Sequence, residues 1–550
     1  MSVISINTKT RRCGTLHDSR FAQRSSAMLK TAFILLLTVL AVSGCVSQQA
    51  VTEAPKPAPQ ILVMGSSVDL YNIDPAVAYD TAITSTDLSL YDNLYRHEGN
   101  PPKPVPWLAV SYDVSPDAKE WTFHLRKDAR FHDGSPVTAE SVKYSADRLI
   151  EIDKGPASLF QGIIDKNSTI VVDNYTVKFR LLKPFSPFLD IIPWLFIVNP
   201  KIVEEHRGDD FAQSWLSENE AGSGPFTISK WVPGEVYTFQ AFDAYWRGWP
   251  IEGRLAGYTR KTIKEWSDRR NALVNGSIQL ADWVAPDDQV VLKSVNNMTV
   301  IDEPTLELYE IKMNNAKGYT SNVHVRKAIS YAFDYDALAN IWAGRAKLAS
   351  GPLIASSEWN ANLAVYRLNM TKAKQELAQS PWPNGGFDLD YVYVTGLDEE
   401  KQTGVLIKEQ LQMLNITVNI IPMSWTDAVV LFADPNKSPD MFPLYSSTAY
   451  SDPDNYLWSG YHSSQAGQWT NPGHYINPEV DLLLEKARGT IDINSRKQFY
   501  DQAQSIIVDD AANIFGVNPP DFHAWSPTVK GLVYCPIMGS EEEFYWLRIE

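Results

Sequence analysis

Residues 121–142 read WTFHLRKDARFHDGSPVTAESV, a stretch that joins a strand, a turn and the start of a helix. Apolar and polar side chains alternate over 121–126, and this period of two predicts a half-buried strand. Asp133 and Gly134 predict a tight turn, because Asp can bond its own backbone and Gly adopts conformations that other residues avoid. Thr138 is placed to cap a helix that begins at the next residue.

The same succession of strands and helices continues in both directions along the chain. Further strands are predicted at 60–65, 175–181, 389–394 and 416–422. Further helices are predicted at 81–94, 322–339 and 403–414, with two more inside 479–510. Strands that alternate with helices over most of the length predict an α/β fold.

The N-terminal region has the layout of a secretory signal. From Met28, one Lys precedes an apolar run of about a dozen residues, and small residues then lead to Cys45 in the sequence VSGC. The run is shorter than the about 20 apolar residues that span a membrane. VSGC resembles the lipobox of bacterial lipoproteins, in which the Cys is acylated. We predict a leader over 1–45, with the true start at Met28 and lipid attached to Cys45; the alternative is a cleaved signal without lipid.

Charge and cysteine content narrow the function classes. The chain has 49 basic and 65 acidic residues, for a net charge of −16, and an acidic chain repels the phosphates of nucleic acids. We therefore expect no nucleic-acid partner. Of the three cysteines, Cys13 lies in the leader and Cys45 would carry lipid, which leaves Cys535. The mature chain is predicted to have no internal disulfide and no thiolate metal cluster.

Several stretches besides 121–142 resemble the extracellular solute-binding proteins of the dipeptide, oligopeptide and nickel group, family 5. They follow that family's order over about residues 60–550, and they are GSGPF at 222–226, YWRG at 245–248, VRKAISYAFD at 325–334, SDPDN at 451–455 and NPEVD at 477–481. The resemblance implies a class II periplasmic-binding-protein fold, in which two lobes close around a ligand by hinge motion.

The resemblance also implies a domain organisation. The first lobe is expected to be discontinuous, with an extra domain inserted in it, and a polar, Pro-rich tether is expected to precede it. The predicted boundaries are 46–59 for the tether, 60–90, 220–312 and 519–550 for the first lobe, 91–219 for the inserted domain, and 313–518 for the second lobe.

The function implied is that of the substrate-binding component of an ABC importer. Such a protein captures a peptide or peptide-like solute outside the inner membrane and delivers it to permease subunits. We expect an exported monomer, periplasmic or at the cell surface, held to a membrane by lipid. The alternatives are a secreted hydrolase and a lipid-anchored sensor or chaperone that uses the same fold without a permease.

No motif supports catalysis. The sequence lacks a Gly-x-Ser-x-Gly elbow, a His-Glu-x-x-His zinc pair and a Walker loop, and its 9 His are scattered. We therefore predict no enzyme activity, no catalytic residue, no metal site and no cofactor. His132 is expected to support the turn at Asp133 and Gly134, and Arg326 to serve packing or an ion pair. Gly222 and Gly224 are expected to flank a tight turn of the backbone.

The ligand site is predicted from the resemblance. Trp425 matches an aromatic residue that lines the site in peptide-binding members, with an interior packing role as the alternative. The full set of predicted ligand-binding residues is Trp425, Tyr445, Ala449, Tyr450, Asp452, Ser67 and Tyr71.

Two departures from the dipeptide-binding members bear on the ligand. Those members hold the ligand's amine with an Asp three positions before the Asp-Pro-Asp-Asn stretch, and Ala449 stands there in this chain. They hold the carboxylate with an Arg in the loop that corresponds to 396–400, which has no Arg here. An unpaired buried charge costs several kcal/mol, so we expect simple dipeptides to bind poorly. Longer peptides are the first expectation, and an oligosaccharide, an opine or a cationic compound is the alternative.

Overall fold

The computed structural model describes residues 60–550 except 250–252, 286, 287, 296, 302, 304, 522, 538 and 540. The predicted leader, tether and lipid-attachment residue Cys45 lie outside the described residues. Two large sheets and a smaller one, with helices packed around them, confirm the predicted α/β fold class. Within the described part of the chain, every helix is too short or too polar to cross a membrane.

The first sheet has seven strands drawn from distant parts of the chain. In spatial order they are Phe226–Val232, Val236–Ala241, Leu255–Thr262, Gln60–Ser66, Leu280–Ala281, Ala524–Trp525 and Thr299–Val300. Gln60–Ser66 runs parallel to its two neighbours. The Ala524–Trp525 strand, from near the C-terminus, separates two strands that are close in sequence and runs antiparallel to both.

The second sheet has six strands. In spatial order they are Lys347–Leu348, Asn513–Asn518, Leu308–Met313, Met441–Ser446, Phe387–Val394 and Ile416–Met423. Because Leu308–Met313 lies in this sheet, the predicted boundary between lobes at 312 and 313 falls within one of its strands. The chain passes from the first sheet to the second between residues 300 and 308.

A third sheet lies within the predicted inserted domain. Its four strands, in spatial order, are Ala109–Val114, Glu120–Leu125, Thr176–Arg180 and Thr169–Asp173. The remaining short strands pair two by two: Asp92–Asn93 with Phe196–Ile197, Tyr95–Glu98 with Lys103–Pro106, and Val529–Lys530 with Arg548–Ile549.

The α-helices surround these sheets. They are Thr81–Leu90, Ala139–Ile152, Phe188–Ile191, Pro200–Glu205, Gln213–Leu216, Trp266–Val274, Asp288–Ser294, Val323–Ala332, Tyr335–Asn340, Met370–Leu377, Asp398–Gln412, Trp425–Phe432, Asp454–Tyr461, Pro478–Arg488 and Ile493–Asp509. Short 3-10 helices occur at Gly155–Leu159, Ile192–Trp194, Tyr319–Ser321, Ser463–Gln465 and Phe544–Trp546.

Local chemistry accounts for the start of the helix Ala139–Ile152. Thr138 and Ser141 form a reciprocal capping box at its N-terminus, as the sequence predicted for Thr138. The turn before it also forms as predicted, since the Ser135 backbone N–H donates to Asp133 at 2.9 Å and Gly134 has a φ of +85°. The strand, turn and helix of 121–142 are therefore confirmed.

The topology brings one edge of each large sheet to the place where the chain crosses between them. Thr299–Val300 runs parallel to Gln60–Ser66, so the C-terminal ends of both strands lie at the edge from which the chain leaves the first sheet. In the second sheet, the chain enters at Leu308 and leaves at Asn518. Met441–Ser446 runs antiparallel to Leu308–Met313, so it ends beside Leu308, at Ser446. The next two strands run parallel to Met441–Ser446 and end at the same edge, at Val394 and Met423.

We call these two borders the crossing edges. Backbone hydrogen bonds tie the two crossing segments together, from Thr305 N to Pro519 O at 3.1 Å and from Asp521 N to Glu303 O at 2.8 Å. Both segments join the ends of strands, which is where hinge residues commonly lie.

Candidate functional site

The first crossing edge is organised by the carboxylate of Asp282. Ser67 donates its backbone N–H to both oxygens at 3.0 Å, and the Ser66 hydroxyl donates to one of them at 2.7 Å. Arg269 lies 3.4 Å away and balances the charge. Ser67, a predicted ligand residue, thus lies on the edge with its backbone N–H already engaged.

Tyr71 follows the first strand and is the more accessible of the two predicted residues there. Its side chain is 64% exposed. Partial burial and the neighbouring carboxylate of Asp80 raise the pKa of Tyr71 to about 12, so its phenol is a neutral hydrogen-bonding group at physiological pH. An exposed phenol can donate or accept a hydrogen bond from a ligand.

Trp425 begins the helix that follows the strand Ile416–Met423. Ser424 caps this helix, its hydroxyl accepting from the Asp427 backbone N–H at 3.1 Å. The indole of Trp425 is 41% exposed, and its ring centroid lies 6.1 Å from that of Trp469, which is exposed to a similar degree. Large aromatic side chains are seldom left this accessible, so the pair offers an apolar surface at the second crossing edge.

Tyr445 lies near the end of the strand Met441–Ser446. Its hydroxyl donates to Glu399 at 3.0 Å, and its ring centroid lies 4.8 Å from that of Tyr309. Burial, Tyr309 and the carboxylate of Glu399 raise the pKa of Tyr445 well above its usual value. Its hydroxyl therefore stays protonated and acts as a donor.

Ala449, Tyr450 and Asp452 are buried, and their polar groups form hydrogen bonds with other residues of the protein. The Ala449 carbonyl accepts from the indole N–H of Trp194 at 2.6 Å, and the Tyr450 hydroxyl donates to Asp454 at 3.0 Å. Both Asp452 oxygens accept from Arg496, at 2.9 and 2.8 Å. The structure places these three predicted residues next to the crossing edge but beneath its surface.

Two acidic residues at the second crossing edge were missed by sequence reasoning. Glu307 accepts from the Ser447 hydroxyl at 2.9 Å, one step beyond the paired residues Leu308 and Ser446. Glu399, in the first turn of Asp398–Gln412, accepts from Tyr445. Neither had a local signal, because each neighbourhood is assembled from segments far apart in sequence.

A further group of titratable side chains lies where the chain returns to the first sheet. His523 contacts Asp521 at 2.6 Å and Glu542 at 3.1 Å, and Tyr534 donates to Asp521 at 2.7 Å. Burial lowers the pKa of His523 but the two carboxylates raise it, and the net result is well above the usual value. His523 is therefore a cation held between two carboxylates.

The residues that could be mistaken for catalytic groups have structural roles. His132 contacts Glu220 at 2.8 Å and donates to the Gly224 carbonyl at 2.9 Å, which ties the turn to the segment 220–224. Arg326 donates to the carbonyls of Thr320 and Asp510 at 2.9 and 2.8 Å and so packs a helix against its neighbours. Among the described residues, no group of His, Cys, Asp or Glu has an arrangement that could hold a metal ion.

The architecture is that of a binding protein with two lobes, whose crossing edges carry accessible hydroxyl, carboxylate and indole groups. The comparisons place it in a family. Residues 103–468 match the model of "Bacterial extracellular solute-binding proteins, family 5 Middle". The chain belongs to this family, as its motifs predicted.

Relatives of known sequence and structure extend the match over nearly the whole chain. The probable D,D-dipeptide-binding periplasmic protein DdpA of Escherichia coli K12 is 32% identical over 521 residues, which cover 92% of this chain and 96% of the relative. The dipeptide-binding protein of the same organism is 24% identical over 544 residues, which cover 94% of this chain and 98% of the relative.

The solved structure of the periplasmic binding protein DppA from Helicobacter pylori, in complex with the peptide STSA, has a TM-score of 0.73 and 25% identity. It covers 89% of this chain and 98% of the other. Family members are binding proteins rather than enzymes, and the family places the chain outside the cytoplasm as a periplasmic type of binding protein.

Proposed function

We propose that this chain is the substrate-binding component of an ABC importer that captures a peptide or peptide-like solute. The observation that carries the proposal is the 32% identity with a probable D,D-dipeptide-binding periplasmic protein over 521 residues, which cover 92% of this chain. The accessible groups at these edges suit a peptide, because hydroxyls bond its backbone and indoles cover its side chains.

A binding screen tests this proposal. The purified chain is melted with D-alanyl-D-alanine, L-dipeptides and longer L-peptides, and hits are measured by calorimetry. A ligand at about 100 times its dissociation constant adds about 2.7 kcal/mol to stability, which gives a clear rise in melting temperature. Chromatography of the recovered ligand must show it unchanged; product formation would favour a secreted hydrolase instead.

A second candidate function is the capture of a non-peptide solute such as an oligosaccharide, an opine or a cationic compound. The observation in its favour is that Ala449 supplies no charge and its carbonyl is already bonded to Trp194. The loop at 396–400 has no Arg. The same melting screen with these solutes decides between the candidates, since only the true class raises the melting temperature.

The cellular setting completes the proposal. We infer that residues 1–45 direct export, that Cys45 carries the lipid, and that a monomer delivers its ligand to permease subunits. The VSGC sequence and the family membership support this setting. Genes for permease and ATPase subunits beside this one would favour a transporter over a sensor that uses the same fold.

A further inference from the structure

Residues 91–219, the predicted inserted domain, meet the predicted second lobe along a narrow contact that we call the second-lobe seam. The Ser186 backbone N–H donates to the Arg488 carbonyl at 2.7 Å, and the Ser186 hydroxyl donates to the Ala487 carbonyl at 3.2 Å. The Trp194 indole N–H donates to the Ala449 carbonyl at 2.6 Å. All three hydrogen bonds join neutral groups of segments that are far apart in sequence.

Packing accompanies these bonds. Pro184 lies next to Gly489, and the guanidinium carbon of Arg488 lies 5.2 Å from the centroid of the Phe185 ring. Arg488 pairs with Asp454 at 2.6 Å, a partner on its own side of the seam. These contacts of the second-lobe seam can therefore separate without breaking the ion pair of Arg488.

The contact of residues 91–219 with the predicted first lobe is of a different kind. Arg148 donates to both oxygens of Asp74 at 2.7 and 2.6 Å, and both side chains are buried. The Asp92 carboxylate accepts from the Ser223 hydroxyl at 2.8 Å and from the Trp246 indole at 2.7 Å. Separation here would leave buried charges without partners, which is costly, and hydrogen bonds to charged groups are the strong ones.

The path of the chain agrees with this difference. The strands that precede and follow residues 91–219, Gln60–Ser66 and Phe226–Val232, both belong to the first sheet. The chain passes to the second sheet at 300–308 and returns at 518–524, so the second-lobe seam lies outside both crossing segments. A hinge motion that opens the cleft therefore keeps residues 91–219 with the first sheet and separates the second-lobe seam.

We propose that the second-lobe seam is a clasp, which forms when the lobes close on a ligand, separates when they open, and so controls how fast the ligand is released. It rests on the proposed function only for there being a ligand to hold. Neutral hydrogen bonds suit a reversible contact, because each is replaced by a hydrogen bond to water when the seam separates.

A reversible cross-link across the seam tests the clasp. A Cβ built on Gly489 would lie 3.5 Å from the Cβ of Pro184, which is within the range of a disulfide. Pro184→Cys combined with Gly489→Cys should therefore form a disulfide under an oxidant, as thiol titration and mass spectrometry can verify. D-Alanyl-D-alanine and trialanine are the probes. Protein loaded with peptide and then oxidised should release it at least about a hundredfold more slowly than after reduction.

Each single substitution, Pro184→Cys or Gly489→Cys, is the matched control. Under the same oxidant it should release the peptide like the wild type. Equal release from the oxidised and the reduced double variant would show that the seam stays closed throughout. That result overturns the inference and leaves peptide capture intact.

Hydrogen exchange in the wild type is a second test that needs no variant and no disulfide. The Ser186 amide should exchange about tenfold or more faster without peptide than with it, because its bond to Arg488 is lost when the seam separates. The Asn199 amide, which donates to the Ala221 carbonyl at 2.7 Å on the side of the first lobe, is the control and should change much less. Equal changes at the two amides would contradict the clasp.

A failure of the proposed function has a different signature. If neither peptide binds to the wild type, that function fails, and small-angle X-ray scattering of the unliganded protein decides the inference. The wild type must then have a larger radius of gyration than the oxidised double variant. Equal radii for the two proteins overturn the clasp.

Discussion

A half-buried carboxyl without a cation of its own lies beside the ion pair of Asp452 and Arg496. Burial, together with the charge of Asp452, raises the pKa of Asp190 to about 8. Asp190 belongs to the predicted inserted domain and Asp452 to the predicted second lobe, so the two carboxyls meet between segments that are far apart in sequence. At neutral pH Asp190 is protonated, so it adds no second negative charge next to the ion pair of Asp452 and Arg496.

This arrangement predicts a pH-dependent stability. The folded pKa of Asp190 is raised, so its contribution is fully present below the unfolded value, near 4, and is lost as the pH rises through about 8. The loss can reach about 1.4 kcal/mol per pH unit in that interval. Asp190→Asn removes the titrating group. Urea unfolding at pH 5 and pH 8 should show that the free energy of unfolding of the variant, relative to that of the wild type, is higher at pH 8 than at pH 5. Equal differences at both pH values would contradict this.

The exposed indole of Trp425 predicts a role in binding rather than in stability. Trp425→Ala should weaken ligand binding by about 1–2 kcal/mol, because it removes a ring that can cover an apolar group. Calorimetry with a ligand from the screen measures the change. Val430→Ala, on the same helix and 69% exposed, is the control and should bind like the wild type. Unchanged affinity in Trp425→Ala would remove this residue from the site.

At the scale of elements, Gly222 and Gly224 serve close packing. A Cβ at Gly222 would lie 1.8 Å from the Leu90 carbonyl oxygen, and one at Gly224 would lie 2.5 Å from the Leu90 carbonyl carbon. Neither glycine has a positive φ. The sequence predicted a tight turn flanked by these residues, but the need for glycine comes from the approach of another backbone segment.

Alanine at these positions should therefore destabilise the fold. Gly222→Ala forces the backbone at Leu90 to move, and we expect a loss of about 1–3 kcal/mol in the free energy of unfolding. Thermal and urea unfolding measure it. Gly489→Ala provides the control, since the nearest atom to its added Cβ would lie 3.5 Å away. A wild-type melting curve for Gly222→Ala would show that the segment adapts without cost.

Sequence periodicity located most elements but not all of their ends. The strands predicted at 389–394 and 416–422 form at Phe387–Val394 and Ile416–Met423, and the region 479–510 holds two helices as predicted. The single helix predicted at 322–339 is wrong, because the chain is extended at Phe333 and Asp334 caps a second helix there, accepting from Ala337 N at 2.9 Å. The apolar pattern continues through this break and hides it. The helix predicted at 81–94 likewise ends at Leu90, where the backbone becomes extended.

For the molecule as a whole, the family could be predicted from ordered motifs, whereas the sheet order could not. Strand pairing joins residues more than 200 positions apart, as between Leu280 and Trp525, and no local pattern encodes it. Trp425 and Tyr445 were predicted by resemblance, while Glu307 and Glu399 required knowledge of which segments meet at the crossing edge. The roles of all predicted ligand residues stay predictions.

The lipid anchor is a prediction for the whole molecule. Expressed in a bacterial host with a labelled fatty acid, the wild type should incorporate the label, because VSGC places Cys45 at the end of a secretory signal. Cys45→Ala should incorporate none. Cys535→Ala alters only a buried free thiol and should be labelled like the wild type. Label in Cys45→Ala, or none in the wild type, would exclude the anchor at Cys45.

The strand Ala524–Trp525 has a consequence for the order in which the parts of the first sheet come together. It lies between Leu280–Ala281 and Thr299–Val300, so the first sheet has a gap until nearly the last residues have been synthesised. Contacts of such long range form late, because loop closure must precede any gain from pairing. A nascent chain therefore cannot close this lobe while it is still being translated. If the predicted leader directs export, the lobe is still incomplete when the chain enters a secretion channel, and its final shape is reached on the far side.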